Sequence, residues 1–147
     1  MKSILKIITL IIFLVFSANI ASSKENFFDE ALKMYQDKKY DDARYLLERN
    51  IVFNPKDAKS YLYLAKIYNF EKNEREELKN LKTTLLLDPD NEEAMYMLIS
   101  IELEKSNFFE VKNLTKKFNV ICSTLCEKVK SINERLENIE VKNESKQ

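Results

Sequence analysis

The chain has 147 residues, with 24 basic and 24 acidic side chains and no His, Gly or Trp. That length suits one domain with a modest core, and 45% hydrophobic against 33% charged residues is a globular balance rather than a disordered one. Without His the usual general base and most zinc sites are missing, without Gly a phosphate-cradling loop or a tight hairpin is disfavoured, and without a net positive charge nothing favours nucleic acid. Lys far outnumbers Arg, and Asn, Ile and Phe are frequent, which reads as codon bias of an AT-rich genome. The same bias accounts for the lack of Gly where a fold would welcome it.

The amino terminus carries Lys2 and Lys6, then an apolar run from Ile7 to Phe16, then an uncharged small-residue stretch ending Ala21-Ser22-Ser23. A charged start, a short apolar core and a small-x-small end predict a secretory signal over residues 1–23, cleaved before Lys24, with cleavage after Ala21 as the alternative. The apolar run is shorter than the roughly 20 residues of a spanning helix. Export to the bacterial periplasm is therefore expected, with an inner-membrane anchor as the alternative if the segment is retained. No Cys lies here, so a lipoprotein anchor is excluded.

The two prolines, Pro55 and Pro89, stand 34 residues apart, in Asn54-Pro55-Lys56-Asp57 and Asp88-Pro89-Asp90-Asn91. Each ends an apolar run, because the residue before a proline is pushed out of the α region. Before Pro55 come Ala31, Tyr35, Tyr40, Ala43, Leu46, Leu47 and Ile51; before Pro89 come Tyr61, Leu64, Ala65, Tyr68, Leu78, Leu81 and Leu85. Steps of three and four predict paired helices. A third, divergent unit starts at Glu92 with Met95, Leu98, Ile99, Phe108, Val111, Leu114 and Phe118, and has no closing proline.

This period and the Tyr40-x2-Ala43 cluster resemble the tetratricopeptide-repeat family, over roughly residues 25–121. The resemblance implies an all-α solenoid with units over 24–57, 58–91 and 92–121 inside a domain spanning 24–141. It implies close helix crossings at Ala31, Ala65 and Ala43, with Tyr40 filling the gap at the turn. The second unit departs from the pattern: Glu74 and Glu77 stand where the first has Tyr40 and Ala43, so its turn is expected to be more open or more polar. By the same resemblance the first helix of each pair lines a groove. Phe28, Leu32 and Tyr35 would come from the first pair, Lys59, Leu62, Tyr63, Lys66 and Asn69 from the second, and Tyr96 and Ser100 from the third. That mixture suits an extended peptide or a partner helix. Phe28 and Leu32 occupy places where a carboxylate clamp needs polar groups, so that specificity is not carried over.

Leu125, Val129, Ile132, Leu136 and Ile139 step by four and three, an apolar stripe backed by Glu and Lys. It predicts a cap helix over 124–140 that covers the open end of the solenoid, started by a capping box at Thr124-x2-Glu127, with a polar tail over 142–147. The stripe alternatively makes a short coiled-coil seam. Cys122 and Cys126, the only cysteines, flank the start of this helix. In an oxidising compartment they are expected to bridge and pin the cap, with free buried thiols or a redox-active pair as the other readings. The remaining acidic pairs, Asp41-Asp42, Glu76-Glu77 and Glu92-Glu93, are expected at helix starts or on exposed faces, where acids complement the helix dipole. No catalytic constellation, metal site or cofactor is expected. The functional expectation is a non-enzymatic binding module in envelope assembly. Self-association and a thiol redox role are the alternatives.

Overall fold

The computed structural model describes residues 27–144, with side chains through Glu137. The signal segment over 1–23 and the last three residues of the tail lie outside them. Seven α-helices and no strand are found among the described residues. They are α1 (Phe27–Gln36), α2 (Tyr40–Phe53), α3 (Ala58–Phe70), α4 (Glu74–Leu87), α5 (Glu92–Glu104), α6 (Phe108–Ile121) and α7 (Cys126–Glu144). The fold is an all-helical solenoid of three pairs, α1/α2, α3/α4 and α5/α6, closed by α7.

The repeat is visible in the backbone itself. Lys38, Lys72 and Ser106 each have positive φ, at 61°, 57° and 57°. Each lies 34 residues after the last, between the two helices of its pair. The same two bonds close each turn: Lys38 N–H donates to Tyr35 O and Lys39 N–H to Met34 O, as Lys72 does to Asn69 and Asn73 to Tyr68, and as Ser106 does to Leu103 and Asn107 to Glu102. This left-handed closure satisfies carbonyls at the helix end and is usually made by Gly, which escapes the Cβ clash. Here Lys and Ser carry that cost. Lys72→Gly should therefore raise the unfolding free energy by about 0.5–1 kcal/mol, the relief of the clash exceeding the extra chain entropy of Gly. Urea midpoints would show it, and a lower midpoint would mean the turn is not strained there.

Packing follows the same period. Ala31, Ala65 and Ile99 are buried, as are Leu47, Leu81 and Thr115. The third series is Asn50, Thr84 and Phe118, also buried, and it changes character along the chain. Between α2 and α3, Asn50 Nδ2 donates to Asp57 Oδ2 and Ser60 Oγ, both at 2.8 Å, and Ser60 Oγ donates to Asp57 Oδ2 at 2.6 Å. Between α6 and α7 the junction is apolar: Phe118 shares one core with Val129, Ile132 and Leu136.

The cap differs from expectation at both ends. It begins at Cys126, not at residue 124, and its helix runs to Glu144, past residue 140 and into the supposed tail. The Thr124 hydroxyl and the N–H groups of Thr124 and Leu125 are engaged by the Glu92 carboxylate, so Thr124 does not form the expected capping box. Starting at Cys126 keeps α7 in phase with Ala58 and Glu92, each 34 residues earlier. The cap thus takes the place of the first helix of a fourth unit. Its Val129, Ile132 and Leu136 are buried against the third unit; Ile139 lies beyond the described side chains.

Candidate functional site

Side chains of the first helices reach from one unit to the next, from α1 to α3 and from α3 to α5. Phe28 and Tyr35 both set their rings edge-on to Tyr63, with centroids 5.7 and 5.0 Å apart. Lys66 Nζ sits 4.4 Å over the Tyr63 ring and pairs with Glu93 of α5 at 2.7 Å. Tyr35 continues into Tyr40, and Tyr40 into Phe70 with centroids 4.4 Å apart. Sequence register thus brings Phe28, Tyr35, Tyr63 and Lys66 together on one face.

Beyond this aromatic cluster the face opens into two clefts. One, of about 590 Å³, lies between α3, α4 and α5 and is lined by Asn69, Glu74, Glu77, Tyr96, Ser100 and Glu104, among others. The second, of about 650 Å³, lies between α3, α5 and the start of α7, with Leu62, Asp90, Glu93, Tyr96, Thr124 and Lys128 in its wall. Tyr96 lines both, and Lys128 Nζ stands 5.3 Å from its ring centroid. Leu62 is buried, and Ser100 Oγ donates to Tyr96 O at 3.0 Å. Leu32 and Lys59 line neither cleft; Leu32 is half-buried and Lys59 exposed.

Two carboxylates stand at helix starts as expected but are engaged by other segments. Glu77 is only 4% exposed and accepts a 3.0 Å hydrogen bond from Asn69 Nδ2. Burial pushes its pKa up, Asn69 opposes this, and Glu104 and Glu74 add to it. Local sequence carries no sign of this, because whether a charged residue in the first turn is covered depends on the neighbouring pair. Glu92 is the second. Its Oε1 accepts from Ser123 N–H and, at 2.6 Å, from Ser123 Oγ, while its Oε2 accepts from Thr124 N–H, Thr124 Oγ1 and Leu125 N–H at 2.8–3.0 Å. The Ser123 hydroxyl, then the Thr124 and Leu125 groups, hold its pKa down to about 2.

A depressed carboxylate contributes stability above its unfolded pKa and loses it as pH falls through the folded one. The stability difference between wild type and Glu92→Gln should therefore be constant above about pH 5 and shrink between the ordinary value of 4.5 and about 2. Urea titrations at stepped pH read this directly; a difference that does not change with pH would place the Glu92 contacts elsewhere.

Cys122 closes α6 and Cys126 opens α7, and a disulfide joins them with Cα atoms 5.4 Å apart. The bonded loop is the one that grips Glu92, so α7 is fastened to α5 and α6 at the same point. Among the described residues, no group of three or more His, Cys, Asp or Glu is placed to hold a metal ion. No helix among them is long and apolar enough to cross a membrane.

No protein-family model and no curated protein matches the chain. Solved structures do. The chain is similar to the Yersinia enterocolitica type III secretion chaperone SycD in complex with a peptide of the translocator YopD, at 18% identity and a TM-score of 0.69, covering 85% of this chain and 99% of that one. It is similar to SycD in an alternative dimer, at 19% identity and a TM-score of 0.67, over 86% of this chain and 99% of that one. A CopN–Scc3 complex matches at 18% identity and a TM-score of 0.61, over 81% and 71% of the two chains. At these identities the likeness establishes the helical-repeat fold.

Proposed function

We propose that this chain is a non-enzymatic adaptor that holds a peptide or helix of another protein along the face formed by α1, α3 and α5. The observation that carries the reading is the continuity of that face. An aromatic cluster at Phe28, Tyr35 and Tyr63 leads into two clefts that meet at Tyr96. Aromatic rings give contact area at little entropic cost, and clefts between helices accept single side chains. SycD, of similar fold, is solved with a peptide of its translocator, which supports the same use of this fold. The proposed setting is the bacterial periplasm, reached through the signal over residues 1–23, with envelope assembly as the task. Intact mass of the exported protein, with Lys24 as first residue, tests the cleavage.

The binding reading is tested by placing a photo-crosslinking phenylalanine at Tyr96 and, separately, at Leu86, which is exposed on the second helix of the middle pair. Adducts in the producing cells at Tyr96 and none at Leu86 are expected. Adducts at Leu86 alone would move the site to the other side. Self-association is the alternative. Val129, Ile132 and Leu136 of the α7 stripe are buried within the chain and so are not free to form a seam, and light scattering at increasing concentration would reveal a dimer. The third reading, a thiol redox helper, is tested by alkylating the exported, unreduced protein. No modified cysteine is expected, and two would turn the pair into free thiols.

A further inference from the structure

Glu77 occupies a position that the other two units fill with an apolar side chain, Ala43 and Val111, both fully buried. A carboxylate there is costly to bury, yet no cation pairs with it among the described residues. Asn69 satisfies one oxygen, and the other has no hydrogen-bond partner among those residues. The surroundings have changed with it. In the first unit Tyr35 and Tyr40 pack against the core cluster that holds Ala43, and Tyr40 continues into Phe70, with both ring pairs tilted. In the second, the residues 34 positions later are Asn69, Glu74 and Glu104, and the space is an open cleft. In the third, Leu103 and Phe108 pack against the core. The middle unit loses the aromatic plug and gains a buried carboxylate facing the opening.

We propose that this cleft receives a lysine or arginine side chain of the bound peptide, with Glu77 as its acceptor. The inference rests on the adaptor reading above. Tyr96, Met97 and Ile101 supply an apolar wall for the methylene stem, while Glu74, Glu77 and Glu104 supply negative charge at the head group. Lys72 also lines the cleft, and Lys105 is engaged by Glu74 at 2.5 Å, so the carboxylates outnumber the nearby cations. The carboxylates do not converge on one point as a metal ion requires, which favours an elongated organic cation. In the free protein burial disfavours the charged form of Glu77. Its raised pKa means that its stabilising contribution is present below the unfolded value of 4.5 and is lost as pH rises through the folded one.

The test uses a phage-displayed library of random dodecapeptides, panned on the purified protein and on Glu77→Gln. Gln keeps the oxygen that accepts from Asn69 and removes the charge, so helicity should persist and the unfolding midpoint at neutral pH should not fall. Peptides enriched on the wild type should share a basic residue beside apolar ones. Norleucine at that residue should weaken binding to the wild type about tenfold and to Glu77→Gln less than about twofold. Enriched peptides that tolerate norleucine, or that lose equally on both proteins, would overturn the assignment while leaving the adaptor reading intact. Failure to enrich any peptide would overturn both.

Discussion

Phe118→Ala is expected to cost about 3–5 kcal/mol of folding stability, the largest loss for a single side chain in this molecule. Phe118 is the largest fully buried side chain among the described residues, and it stands where the third pair meets the cap. It shares one apolar cluster with Leu98, Ile99, Val129, Ile132 and Leu136, so its removal opens a cavity touching α5, α6 and α7 at once. A domain of this size has only about 5–15 kcal/mol in total, so the variant should unfold at far lower urea. The equivalent positions show why this one matters. Asn50 and Thr84 sit at the same register but are held by hydrogen bonds, Asn50 to Asp57 and Ser60, Thr84 to the Asn80 carbonyl at 2.9 Å. A urea midpoint within experimental error of wild type would mean that the cap does not rest on α6. An unchanged m-value with a lowered midpoint would show that the cap unfolds together with the repeats.

What could be read from the sequence divides along the same line between local and non-local forces. The proline spacing and the three-four apolar steps identified seven helices and their pairing, because each helix announces its buried face by its own periodicity. The left-handed turns at Lys38, Lys72 and Ser106 could not be read, since the residue that normally marks them is absent from the chain. The start of α7 was placed two residues early because Thr124 and Glu127 satisfy a local capping rule, whereas Ser123 to Leu125 are claimed by Glu92, more than thirty residues away. Glu77 shows the same limit. Its position in the first turn of α4 suggested an exposed acid, and the pairing of Asn69 with it needed the neighbouring helix. For the candidate site, Phe28, Tyr35, Tyr63 and Lys66, named from the 34-residue register, lie against one another. The register did not disclose the two clefts, the first of which lies where Asn69, Glu74 and Glu104 stand in place of the rings of the first unit.

Ala43→Leu should cost about 1–3 kcal/mol, and the reason lies in that filled space. Ala43 is fully buried in α2 beside α1, in the cluster of Ala31, Leu47, Leu64 and Ile67. Three extra carbons there would have to displace the Tyr35 and Tyr40 rings, which are packed 5.6 Å apart, or the Tyr40 and Phe70 rings at 4.4 Å. Interiors are close-packed, so the strain cannot be absorbed by small adjustments. The middle unit carries a longer side chain, Glu77, at the same register, and accommodates it only because Asn69, Glu74 and Glu104 stand where the rings would be. The two units therefore make opposite predictions for added bulk. Ala43→Leu should lower the urea midpoint, whereas Glu77→Met, which keeps the length and removes the charge, should leave it equal or higher. If both variants proved equally destabilised, the rings of the first unit would not be what excludes volume beside Ala43, and the cleft of the middle unit would not be the consequence of their loss.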